Sequence, residues 1–165
     1  MSRVIIVCGQ TGAGKTSYSI KISDEIKAIK FSIDPWMQNL FSKDMESLDF
    51  NWMMERIERC PVQIWEVAKQ IINNDRNIVL DLGFTTKDQR KLFIDKAKEL
   101  GINAEVHYIN TPVDTRKLRV IKRNTEKNPE VYAFEVTDQM FEFMEPRFEP
   151  PCDAELNNGV LVSNI

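Results

Sequence analysis

Apolar and polar positions alternate along the chain in two different periods. Val4-Ile5-Ile6-Val7-Cys8 is continuously apolar, as expected of a parallel strand buried on both faces. From Ser17 to Lys27 the apolar residues Ile20, Ile22 and Ile26 recur in a polar background that suits a helix. Residues 28–33 predict a second short strand ending at Asp34, with a short helix from Pro35 whose apolar face is Met37, Leu40 and Phe41. Residues 42–50 are polar and acidic and predict a loop. Trp52 to Asn74 is helical in pattern, with Val62, Trp65, Ala68 and Ile72 as core positions. Pro61 cannot donate to the carbonyl one turn back, so two helices or a kink at Cys60 are expected.

Residues 77–82 predict a third strand. Thr86 followed three residues later by Gln89 is a capping-box pattern and sets a helix start near residue 87. Leu92, Phe93 and Ala97 give that helix an apolar face, and Gly101 ends it. Residues 104–109 predict a fourth strand, 112–125 a basic helix, 137–145 a short helix stopping before Pro146, and 159–163 a last strand. Pro150-Pro151 predicts a stiff turn. Strands alternating with helices imply right-handed crossovers and a parallel sheet covered on both faces, with a ligand at the carboxyl ends of its strands.

Between the first strand and the first helix stands Gly9-Gln10-Thr11-Gly12-Ala13-Gly14-Lys15-Thr16, the pattern G-x-x-x-x-G-K-[ST]. Its glycines let backbone N–H groups approach phosphates at a helix N-terminus. Lys15 would reach the β- and γ-phosphates, and the Thr16 hydroxyl would ligate Mg²⁺. A nucleoside triphosphate, most simply ATP, is therefore the expected ligand.

The remaining composition narrows little. At 165 residues one domain, 1–165, is expected. The 22 basic and 25 acidic side chains give a net charge of −3, which favours neither nucleic acid nor an anionic membrane as the main partner. Cys8, Cys60 and Cys152 are widely spaced, which suits free thiols and a cytoplasmic location. No apolar run approaches the roughly 20 residues of a membrane span.

Three further groups carry candidate chemistry. Asp34 is a candidate general base for an acceptor hydroxyl and a candidate N-cap of the helix at Pro35, two roles that do not exclude each other. Asp81, ending an apolar run, is placed to hold Mg²⁺ or face the acceptor; the bland alternative is a polar strand end satisfied by the next turn. Arg116, Arg119 and Arg123, spaced i, i+3, i+7, share a helix face, either as a solvated basic stripe or as a lid over transferring phosphate. His107 is expected to be a core or edge residue. Trp36, Trp52, Met53 and Met54 are candidates for an acceptor pocket, and Trp65 for the core.

Residues 4–16, together with 31–34, 79–86, 116–124, 136–141 and 147–151, resemble the compact P-loop kinase-like proteins of bacteria, often labelled ATP-binding or AAA-type. Chloramphenicol phosphotransferase, zeta toxins and polynucleotide 5′-hydroxyl kinases belong to the wider group. The resemblance implies a three-layer α/β/α P-loop domain with a five-stranded parallel sheet in the order 2-3-1-4-5 and a lid around 112–135. It also implies that Asp34 is the acceptor's base and that Arg119 and Arg123 clamp phosphates. Pro35-Trp36-Met37-Gln38 stands where polynucleotide kinases are expected to carry a phosphate-reading arginine, which points to a less charged acceptor. The expectation is an ATP- and Mg²⁺-dependent phosphotransferase acting on a small-molecule hydroxyl. A nucleic-acid 5′-hydroxyl kinase and a non-enzymatic ATP-binding switch are the rivals.

Overall fold

In the computed structural model, which describes residues 2–44, 49–130, 132 and 134–163, the strands are β1 (Val4–Cys8), β2 (Ile29–Ser32), β3 (Ile78–Asp81), β4 (Glu105–Asn110) and β5 (Val160–Ser163). They form one all-parallel sheet in the order β2-β3-β1-β4-β5, the expected topology. The helices are α1 (Lys15–Ile26), α2 (Ile33–Phe41), α3 (Phe50–Ile72), α4 (Lys87–Glu99), α5 (Val113–Glu126), α6 (Asp138–Met144) and α7 (Asp153–Leu156). A 3₁₀ turn at Ser42–Asp44 opens the segment expected to be a loop, of which 45–48 lie outside the described residues.

The five residues of β1 are all buried, as a central strand requires. Because side chains alternate across a strand, Val4, Ile6 and Cys8 join one apolar cluster while Ile5 and Val7 join another. The first cluster includes Met37, Ile64, Trp65, Ala68, Phe93 and Ala97, from α2, α3 and α4. Against the second lie Tyr18, Ile22 and Ile26 of α1. Helices thus cover both faces of the sheet, and loops at its carboxyl edge are left to build a site.

Four local expectations are corrected. Pro61 does not divide the helix: α3 runs unbroken for 23 residues. An interior proline costs ~3 kcal/mol or more. Burying Ile64, Trp65, Ala68 and Ile72 beyond it offsets that, since a large apolar side chain contributes about 1.5–3 kcal/mol. The buried row of α3 follows Cys60, Ile64, Ala68 and Ile72, which leaves Val62 exposed. Leu40 and Leu92 likewise face outward. The second helix starts at Ile33 rather than Pro35, with Ser32 as its extended N-cap.

The Thr86–Gln89 capping box is complete, with both reciprocal bonds made, and α4 begins at Lys87. A 3₁₀ turn at Glu145–Arg147 extends α6 through Pro146, and the short α7 lies in the stretch before β5. No helix among the described residues is long and apolar enough to cross a membrane.

Candidate functional site

The loop from Gly9 to Gly14 leaves β1 and enters α1 at Lys15, over the carboxyl edge of the sheet. Two of its glycines are demanded by close approach. Gly12 has φ +77°, and a Cβ there would lie 2.5 Å from the Arg116 carbonyl oxygen. A Cβ on Gly9 would lie 2.6 Å from the Ile109 carbonyl oxygen.

Side chains from the far side hold the loop's carbonyls. Arg116 Nη1 donates to Thr11 O at 3.2 Å. Ala13 O accepts from Thr111 Oγ1 at 3.0 Å and from Arg119 Nη1 at 2.9 Å. In a trans peptide the next N–H points opposite to the carbonyl, so the Gly12 and Gly14 amides are turned away from these donors. Ala13 N donates to Gln10 O at 3.1 Å, and Lys15 Nζ donates to the same oxygen at 3.0 Å.

Two aspartates meet this loop because of strand register. Ser32 is paired with Asp81 across β2 and β3, and Ser32 Oγ donates to Asp81 Oδ2 at 3.2 Å. From the other side Thr16 Oγ1 donates to the same oxygen at 3.3 Å. Asp34, two residues beyond Ser32, sits in the first turn of α2 and lines the same cavity as Lys15, Thr16 and Asp81. It is not an N-cap, because Ser32 occupies that position.

The electrostatics are those of a polar pocket withdrawn from water. Burial pushes the Asp34 carboxyl above its ordinary range, opposed by Lys15 and Arg123. Burial does the same at Asp81, with Lys15 opposing and Asp34 reinforcing. The Lys15 ammonium is pulled down by burial and supported by both carboxylates. Cys8, at the end of β1, has its thiol pushed up to about 12 by burial, so it stays protonated at neutral pH.

The three arginines of α5 separate by height along one helix face. Arg116 is buried and forms a two-pronged pair with Glu145, Nη1 to Oε1 at 2.5 Å and Nη2 to Oε2 at 2.9 Å. It braces the loop through Thr11 O and is not among the described cavity-lining residues. Arg119 reaches the loop carbonyl already described. Arg123 lines the cavity, and its buried Nε has no hydrogen-bond partner among the described residues. An unmatched buried donor costs free energy, and an anion in the cavity would satisfy it.

The cavity measures about 380 Å³, within the range of small-molecule sites. Its polar end is made by Gly9–Gly12, Gly14–Thr16, Asp34, Asp81, Arg119 and Arg123. Its other end is apolar and includes Met53 and Met54, as the sequence suggested. Trp36 packs against the main core, and Trp52 lies edge-on to Phe41 with Arg56 stacked on it, so neither tryptophan is among the described lining residues. Trp65 is core. His107 is buried and shares a 2.7 Å hydrogen bond with Tyr18 Oη, a packing role.

The donor set fits a hard cation. A hydroxyl and a carboxylate share one spot, and Mg²⁺ is bound by few protein oxygens plus substrate phosphates. Among the described residues no group of three or more His, Cys, Asp or Glu could hold a metal alone.

Sequence reasoning missed Glu145, which takes Arg116 and also accepts from Gln10 Nε2 at 3.3 Å. Nothing in its local sequence marks it. Thr111, one residue before Pro112, was equally silent.

Fold and loop together define a P-loop α/β protein with an all-parallel sheet in the order β2-β3-β1-β4-β5. A family model described as AAA domain matches residues 4–151, and the chain belongs to that family. Comparison with curated proteins gave no match. Among solved structures, Kti12 of Chaetomium thermophilum in complex with ADP-AlF3 superposes with a TM-score of 0.71 at 15% identity, covering 97% of this chain and 88% of the other. A sugar kinase from Janibacter sp. gives 0.65 at 14%, covering 99% and 86%. The Mycobacterium tuberculosis APS kinase in complex with AMPPNP and APS gives 0.63 at 13%, covering 97% and 88%. At these identities the likeness is one of fold.

Proposed function

We propose that this chain is an ATP- and Mg²⁺-dependent phosphotransferase that moves the γ-phosphate to a hydroxyl of a small molecule. One observation carries the reading. A phosphate-loop lysine, a threonine–aspartate pair, a second aspartate with a raised pKa and a cavity-facing arginine converge on one cavity that continues past them into empty space. The sugar kinase and APS kinase among the structural neighbours add support for a small-molecule acceptor.

In this reading Gly9, Gln10, Thr11, Gly12, Ala13, Gly14, Lys15 and Thr16 wrap the triphosphate, with main-chain N–H groups and the Lys15 ammonium on its oxygens. Thr16 and Asp81 would hold Mg²⁺, which would neutralise phosphate charge. Asp34 orients the acceptor hydroxyl and takes its proton as the oxygen attacks phosphorus. The bond from phosphorus to the β,γ-bridging oxygen breaks, ADP leaves, and Asp34 returns the proton to solvent. A carboxylate whose pKa is raised toward the working pH is a better proton acceptor than an ordinary one. Arg123, with Arg119 behind it, stabilises charge on the transferring group. The segment 112–135 closes as a lid within a single 1–165 domain; Val131 and Ala133 of that segment lie outside the described residues.

The test is a screen of hydroxyl compounds with γ-labelled ATP, run on the wild type and on Asp34→Asn. Transfer by the wild type and its loss in the variant support the reading. ATP binding with no transfer to any acceptor would favour a nucleotide switch instead.

A further inference from the structure

The cavity has two ends of opposite character. Its charged lining residues are Lys15, Asp34, Asp81, Arg119, Lys122, Arg123 and Glu126, all from the loop, the strand ends, α2 or α5. An apolar wall comes from α3 and α6: Phe50, Met53, Met54 and Ile57 at helical spacing, together with Met140 and Met144, with Phe50 stacked on Phe143 where the two helices touch. Met54 and Met144 are half-buried yet belong to none of the packed apolar clusters. Two methionine side chains therefore face the cavity without a core to fill. A thioether there offers an adaptable apolar surface to a ligand.

Among the polar lining residues, Thr85 and Asn128 have hydrogen-bond partners of their own. Thr85 donates its hydroxyl and its N–H to Gln89 Oε1, and Asn128 Oδ1 accepts from Glu130 N. No described lining residue of α3 or α6 is a cation, so a phosphate or carboxylate laid on these two helices would gain no ion pair from them. Hydroxyls of a polyhydroxylated sugar laid on these apolar side chains would go unmatched there, which costs free energy.

Building on the phosphotransferase reading, we infer that the acceptor is an uncharged alcohol with an apolar, aromatic or aliphatic body. Its body lies against the shared apolar surface of α3 and α6, and its single hydroxyl is presented at Asp34. The cavity selects against anionic and sugar acceptors by leaving their polar groups unpaired.

The probe is 2-naphthylmethanol, measured by equilibrium dialysis in the presence of ADP and Mg²⁺. Saturable binding to the wild type is expected. Met54→Glu and Met144→Glu should each weaken it by about tenfold or more, because an unpaired carboxylate enters an apolar wall. ADP affinity, measured by calorimetry on the same samples, should stay within about twofold. Met54→Gln, neutral and of similar size, should weaken the probe severalfold while preserving the melting temperature, and serves if either charged variant misfolds. In the labelled-ATP assay 2-naphthylmethanol should outrun gluconate and a 5′-hydroxyl oligonucleotide. Absence of saturable probe binding, unchanged binding in the variants, or preference for gluconate or the oligonucleotide would each overturn the inference. Failure of the wild type to bind ADP would instead remove the phosphotransferase reading beneath it, so the two failures are told apart.

Discussion

Thr16 and Asp81, 65 residues apart in the chain, meet at 3.3 Å, with the Thr16 hydroxyl donating to Asp81 Oδ2. The contact joins the first turn of α1 to the end of β3. It exists because β3 lies beside β1 in the sheet and ends level with the loop. A hydroxyl and a carboxylate held together in this way are a ready pair of oxygen ligands. Their pairing also implies a cost, since Asp81 is buried.

That cost is measurable. The raised pKa of Asp81 means that its charged form is disfavoured in the folded state. Stability from such a group is fully present below the unfolded pKa and is lost as pH rises through the folded one. Asp81→Asn should therefore raise the melting temperature near neutral pH, by about 2–4 °C for roughly 1 kcal/mol. The gain should shrink as pH falls toward the ordinary aspartate value of 3.8. The same variant should lose most of the thermal upshift produced by ATP with Mg²⁺. A pH-independent gain, or a full upshift, would contradict the role given to Asp81.

Lys15→Ala should abolish or severely weaken ATP binding, because a charge-assisted contact to the β- and γ-phosphates is lost. Calorimetry with ATP and Mg²⁺ on both proteins decides it. Unchanged affinity would remove Lys15 from the site.

Asp34→Asn should leave ATP affinity within about twofold and cut acceptor-dependent transfer by roughly 10²- to 10⁴-fold, the usual contribution of a positioned base. Since Asp34 does not cap α2, no capping bond is at stake, and thermal unfolding is the control. In the wild type, transfer should fall as pH drops through the raised pKa of Asp34, because the protonated carboxyl cannot accept a proton. A variant as active as the wild type would falsify the assignment.

Replacing Arg119 and Arg123 together by Ala should slow transfer by about 10³-fold, far more than it weakens ATP binding. Steady-state kinetics with any identified acceptor gives the comparison. Loss of less than about threefold in kcat would exclude a lid role.

Glu145→Gln should destabilise the protein by about 2–4 kcal/mol, because buried Arg116 would lose its carboxylate partner. The exposed pair of Lys91 and Asp95 is the control: Asp95→Asn should cost under about 1 kcal/mol. Denaturant titration of the two variants measures both. Equal effects would mean that the Arg116–Glu145 pair does not brace the loop.

What the sequence determined is local. The phosphate loop needs consecutive residues of set types, and its glycines and lysine can be read from spacing alone. The Thr86–Gln89 capping box spans four residues and formed as expected. The continuous apolar run of β1 follows from burial on both faces, and the strand alternation led to the correct sheet order through the family resemblance.

What the tertiary structure decided depends on neighbours distant in the chain. Arg116, Arg119 and Arg123 are equivalent by periodicity. Yet seven residues of rise, about 10 Å along α5, separate a buried pair with Glu145 from a cavity-lining cation. Glu145 itself is selected only by the return of the chain to the loop, 135 positions after Gln10. Asp34 lost its capping role because pairing with β3 ends β2 at Ser32, opposite Asp81. Pro61 was overruled by the buried row of α3 on either side of it. Met54 is already a pocket candidate in the sequence, whereas Met144 carries no such mark, and only the packing of α6 beside α3 brings it to the cavity. Periodicity shows which face a residue occupies; packing between distant segments shows what that face meets.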